Sequence, residues 1–149
     1  MRHSGRKQAL AAVAALSLLA ACESLPPSPI APTASIAALY QRPAERALID
    51  GLRHYEDGQF ARAEESLRSA LALGLADPRD VATARKYLAF LACAFKRLAE
   101  CAQQFRAAFA ADPNFALSER ESGHPIWGPV YRRVAAEIRG ERQALDTRR

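Results

Sequence analysis

The chain predicts an all-α protein, a short solenoid of about two helical hairpins closed by a C-terminal capping helix. Three observations lead there. After Pro43 the apolar residues recur every three or four positions, through Leu48, Leu52, Tyr55, Phe60, Ala63, Leu67, Ala70 and Leu71. Nothing alternates with the two-residue period of a strand. The helical region also matches itself: Gly58-Gln-Phe60-Ala-Arg-Ala63-x₃-Leu67-x₂-Ala70-Leu71 aligns with Lys96-Arg-Leu98-Ala-Glu-Cys101-x₃-Phe105-x₂-Ala108-Phe109 at a constant offset of 38.

Composition sets the outer bounds. With 149 residues, 50% apolar and 25% charged, the chain is of ordinary globular make-up and of single-domain length. Disorder throughout and a polytopic membrane protein are both excluded. The net charge of +5 includes Arg2, Arg6 and Lys7, and without them only +2 is left. A nucleic-acid partner is therefore not expected.

The first segment reads as an export signal. Met1 to Lys7 are basic and lack acids, and Ala9 to Ala21 form thirteen residues whose only polar member is Ser17. Thirteen helical residues rise roughly 20 Å, too short for the ~30 Å hydrocarbon core, so the stretch reads as cleaved rather than spanning. Leu19-Ala20-Ala21-Cys22 resembles the bacterial lipobox, in which the cysteine becomes the first residue and receives a diacylglycerol and a further acyl chain, palmitate. The alternative is an unlipidated signal with a chance cysteine. Several acyl chains are needed for firm anchoring, since one binds a bilayer only marginally. By resemblance to Gram-negative lipoproteins, Glu23 in place of Asp favours the outer membrane, with the folded part on the periplasmic face.

Residues 22–42 supply the anchor and a tether. Four prolines between Pro26 and Pro32 exclude a helix or strand there and favour an extended spacer. Helices then fill 43–115. Glu56-Asp57-Gly58 breaks the first pair, and Gly74 with Ala76-Asp77-Pro78 separates the second. Asp77-Pro78-Arg79-Asp80 offers an N-cap, a proline at the first helical position and an acid in the first turn. A second set of apolar positions runs through Val81, Ala84, Leu88, Leu91 and Phe95, then Leu98, Cys101, Phe105, Ala108 and Phe109.

The internal match resembles the tetratricopeptide family, in which small residues let paired helices approach and large ones fill the gap. Gly51 and Ala89 fall on the small position of the first helix, Ala63 and Cys101 on that of the second, Gly58 on the turn and Pro113 on the terminal proline. Departures are Ala92 for an aromatic, Lys96 for the turn glycine and a few extra residues near Leu73 to Asp77. Two hairpins leave an apolar face open. Within 116–149, Pro129 to Leu145 carries Val130, Val134 and Ile138 on one side and is expected to cover it, with a frayed basic tail from Asp146.

Three cysteines are an awkward number in an oxidising compartment, and lipidation of Cys22 leaves Cys93 and Cys101. These flank the second turn, where a disulfide is geometrically allowed; the alternative is two small buried residues. No further ligands accompany them, so no metal and no cofactor are expected. His3 leaves with the signal, His54 falls on a packing position, and only His124 remains as a candidate general base. With no phosphate loop, serine elbow or carboxylate pair, enzymatic activity is not expected. Glu64, Glu65 and Arg68 read as a solvated face. Gly123-His124-Pro125-Ile126-Trp127-Gly128-Pro129 either folds Trp127 back onto Phe115 and Phe109 or presents Trp127 and His124 as a binding anchor.

Taken together, the lipobox, the Pro-rich spacer, Lys86-Tyr87-Leu88-Ala89-Phe90, the Cys93 and Cys101 pair, Asp112-Pro113-x-Phe115-x-Leu117 and the tryptophan loop resemble the small tetratricopeptide lipoproteins of type VI secretion loci, the TssQ type. The resemblance implies an accessory envelope component without a defined mechanism, and the helical solenoid is expected to bind another envelope protein. Repeat register places Leu48, Leu52, Lys86 and Phe90 on or near the concave partner surface. A generic envelope-assembly role, with self-association through an open end, is the alternative.

Overall fold

The computed structural model describes residues 42–148; the signal segment, Cys22, the tether up to residue 41 and Arg149 lie outside them. Within that span the chain is all-α. Helices α1 (Pro43–Glu56) and α2 (Phe60–Leu73) form one hairpin, and α3 (Pro78–Ala94) and α4 (Leu98–Ala111) a second. The short α5 (Glu119–Ser122) and the long α6 (Gly128–Asp146) follow. The capping helix thus starts one residue earlier than its sequence pattern indicates. It also runs through Asp146, where the sequence predicts fraying.

The ends follow their local chemistry. Pro43 opens α1, with Glu45 in the first turn and Arg53 and His54 in the last, an order that suits the helix dipole. Asp77 caps α3 by accepting the Arg79 N–H at 2.9 Å, with Pro78 next and Asp80 in the first turn. Gly74 ends α2 with φ 87°, a left-handed conformation suited to glycine.

The two hairpin turns share one bonding pattern. Asp57, Gly58 and Gln59 donate to the carbonyls of Arg53, Tyr55 and His54, and Ala63 donates to Gln59. One repeat on, Phe95, Lys96 and Arg97 donate to Leu91, Cys93 and Ala92, and Cys101 donates to Arg97. Lys96 takes φ 60° where Gly58 takes φ 72°. A side chain in that region costs about 1 kcal/mol or more. The Cys93–Cys101 disulfide, Cα–Cα 5.2 Å, ties the two sides of that turn.

Packing depends on small residues at the crossings. Ala63, Ala70, Ala84, Ala89, Ala92, Cys101 and Ala108 have almost no exposed surface. A Cβ on Gly51 would stand 2.8 Å from Leu67 Cγ, so only glycine allows the present approach of α1 to α2. Leu67 fills the first gap, and Phe105, its equivalent in the second hairpin, fills the other. One core cluster joins Leu48 and Leu67 to Leu88 and Leu91 of α3; the other joins α3 and α4 to Leu117, Val130, Tyr131 and Val134. Buried Gln104 accepts from Arg85 at 3.0 Å, so its amide oxygen is satisfied across α3 and α4.

α6 covers α4, and its outward positions Arg132, Arg133, Ala136, Glu137 and Arg139 are exposed. It starts beside Phe90, and Arg142 reaches the Pro113 carbonyl at 3.0 Å, so it crosses α4 toward that helix's C-terminal end. The connection through residues 112–127 carries the chain back to that starting point.

Glu64 and Arg68 are more than a solvated pair. Arg97, at the second turn, donates to both oxygens of Glu64 at 2.7 and 2.9 Å and to Glu100 at 2.9 Å. Arg68 joins Glu64 at 2.8 Å and Glu100 at 2.6 Å. Four residues thus link the hairpins across α2 and α4. The Arg97 hydrogen bonds, with those of Arg68, hold the Glu64 carboxyl down to about 2 against the opposing effect of burial.

Replacing Cys93 and Cys101 together by alanine removes a short-loop crosslink and should lower stability by about 2 kcal/mol, read as a drop in urea midpoint at unchanged helical circular dichroism. Acid titration gives the second outcome. An unfolded glutamate titrates at about 4.3, so the Glu64 contribution is complete above that pH and is lost as pH falls toward its folded value. Urea midpoints of a Glu64→Gln variant should fall less steeply over that window than those of the parent.

Candidate functional site

Every Phe, Tyr and Trp among the described residues belongs to one connected array. It runs from Phe95 and Phe60 at the turn edge through Tyr55, Tyr87 and Phe90 to Phe105, Tyr131, Phe109 and Phe115. Trp127 joins by stacking on Phe90 at 4.2 Å and on His124 at 3.4 Å. Such contacts add about 0.5–1.5 kcal/mol each beyond area burial, so the array stiffens the inner side of both hairpins.

The structure brings together four of the expected partner-binding residues. Lys86, Phe90, His124 and Trp127 form one cluster on the inner side of α3. Phe90 is only 3% exposed, so it belongs to the core rather than to a free groove wall, because Trp127 lies on it. Leu48 is likewise buried, against α3. Leu52 is half-buried, and Ile49, which shares its face of α1, is 45% exposed. Expected against Phe115 and Phe109, Trp127 is elsewhere: Tyr131 takes that place, 5.9 Å from Phe109 and 6.3 Å from Phe115. The reason is the returning connection, which delivers Trp127 beside Phe90 and lets Tyr131 follow one helical turn later.

Sequence reasoning misses the group at the centre of the cluster, Glu121. Its Oε1 accepts from Lys86 Nζ at 2.7 Å, and its Oε2 accepts from the Ser118 N–H and hydroxyl at 3.0 Å. The Ser118 hydroxyl in turn accepts the Glu121 N–H, completing a capping box on α5. The Glu121 carbonyl accepts from Trp127 Nε1 at 2.9 Å. Burial alone would raise the Glu121 carboxyl, but the bonds from Lys86 and Ser118 hold it below the usual range. The Lys86 ammonium also lies 4.9 Å from the Tyr87 ring centre and 5.8 Å from that of Phe90. Burial, with the charges of Tyr87 and Glu121, pushes the Tyr55 hydroxyl up. The Ser-x-x-Glu spacing is readable in the sequence, whereas the distant lysine it would meet is not.

His124 accepts the Ile126 N–H through Nδ1 at 3.2 Å and places one ring face on Trp127. His54 turns Nδ1 inward from its packing position. Among the described residues no group of three or more His, Cys, Asp or Glu is placed to hold a metal ion, and no helix is long and apolar enough to cross a membrane. Phe60, Phe95 and Leu98 form a second apolar surface at the turn edge, each 41–55% exposed. The inner cluster combines a cation with aromatic faces, beside the apolar Ile49 and Leu52 of α1.

No protein-family model matches the chain. No significant match to a curated protein or to a solved structure was found.

Proposed function

We propose that the protein is a lipid-anchored docking module of the bacterial envelope, held to the outer membrane through Cys22 and binding another envelope protein on the inner side of its helical pairs. Its hairpins are read as tetratricopeptide-like repeats. The observation that carries this is the repetition of turn bonding from one hairpin to the next, with Lys96 adopting the left-handed conformation of Gly58. Stacked helical pairs of this kind present a continuous inner surface to extended or helical segments. The lipobox-like Leu19 to Cys22 and the proline-rich tether support anchoring. Resemblance to the TssQ-type lipoproteins makes an accessory role in type VI secretion the specific reading. No catalytic role, metal or cofactor is part of it.

A second reading, assembly or self-association unrelated to secretion, draws on the exposed Phe60, Phe95 and Leu98 at the turn edge. Contiguous apolar surface of this sort marks contact sites.

Photo-crosslinking in cells separates the two. With the crosslinker at Ile49, an envelope protein should be captured at several times the yield obtained from position 60. Capture of a second copy, or capture from position 60 alone, supports the assembly reading instead. The anchor is tested in the same cells: Cys22→Ser should move the protein to the soluble envelope fraction or leave its signal uncut, and normal cleavage with continued detergent-dependent extraction would contradict lipidation.

A further inference from the structure

Repeat register makes Lys86 anomalous. One repeat earlier the same position is Leu48, and beside it Leu52 corresponds to Phe90. The first hairpin buries Leu48 under α3. In the second, an ammonium stands where a leucine would pack, and keeping a part-buried cation there requires an acid. Glu121 supplies it from another part of the chain.

The segment that carries Glu121 is a strap. Leu117 and Gly128 at its two ends are buried, whereas residues 118–127 are all exposed or half-buried. It is fixed away from α3: the Leu117 N–H donates to Tyr131 Oη at 3.1 Å, and Arg132 of α6 donates to the Ser122 carbonyl at 2.6 Å. The backbone of α5 makes no close approach to α3. Contact with α3 runs through the Glu121 carboxylate on Lys86 and the Trp127 ring on Phe90. These holds converge, because the Glu121 carbonyl accepts from Trp127 Nε1. Segments with exposed backbone and few buried contacts open at lower free energy than the core.

The geometry points to residues 118–127 as a built-in, displaceable occupant of the docking face, whose place on Lys86 and Phe90 is taken by a partner segment presenting an acid and an aromatic side chain in the same relation. This deepens the docking reading above and rests on it. The strap is its own template for the ligand: a carboxylate for the ammonium, a planar ring for Phe90.

The test uses the purified folded chain, without an envelope partner, so its failure is distinguishable from failure of the crosslinking experiment. Hydrogen exchange is followed in the parent, in Glu121→Gln, in Lys86→Gln and in the double variant, with Trp127 fluorescence quenching by acrylamide as a second readout. Each single variant should raise exchange in 118–127 about tenfold while α1 to α4 stay at parent values. The double variant should add nothing further, because both act through one ion pair. A synthetic peptide of residues 117–128 should bind the Glu121→Gln chain and fail to bind the Lys86→Gln chain. Strap exchange that changes only in step with the four-helix body overturns the inference. So do additive effects in the double variant, or a peptide that binds neither chain or both alike.

Discussion

The close approach of paired helices governs this structure. Gly51 against Leu67, and the fully buried Ala89 with Phe105, bring the helices near enough that one large apolar side chain closes each gap. Burying a side chain of that size is worth about 1.5–3 kcal/mol, and the gain depends on the absence of bulk opposite it. A larger residue at a crossing would force the helices apart and forfeit contacts along their whole length. The turns, the disulfide and the Glu64, Arg68, Arg97 and Glu100 network act on top of that spacing, holding each pair and then joining the pairs.

The second turn illustrates how local cost is absorbed. Lys96 lacks the freedom of Gly58 yet adopts the same backbone, and it does so between two cysteines joined covalently. Tyr55 and Ala63 occupy the corresponding places in the first hairpin. One repeat therefore obtains its turn from glycine, the other from a crosslink. The same crosslinked turn carries Arg97, so the ion network that bridges the hairpins starts from a well-fixed point.

How much of this is legible in the sequence follows from distance along the chain. Helix periodicity, the Asp77 cap, the breaks at Gly58 and Gly74, and the internal repeat are local or recurring signals, and the structure carries each of them. The Glu64 and Arg68 pair is visible because it is closed within one helical turn; its extension to Arg97, in the other hairpin, is not. The inner cluster is half visible. Lys86, Phe90, His124 and Trp127 stand out in the sequence, but their mutual contact depends on the non-periodic connection 112–127, whose course no pattern specifies. That is why Tyr131 rather than Trp127 lies on Phe109, and why Glu121 reads as an ordinary surface acid. Leu48 and Phe90 belong by register to a wall that α3 and Trp127 respectively cover.

The direction of α6 has one more effect. Because it crosses α4 toward that helix's C-terminal end, it occupies the ground on which a third pair would have to stack. A further pair could be added behind α4 only if residues 112–146 moved with the new end, because Tyr131 and Val134 now pack on that face. The cap therefore acts as a terminator, and the length of the stack is set by where the connection 112–127 delivers it.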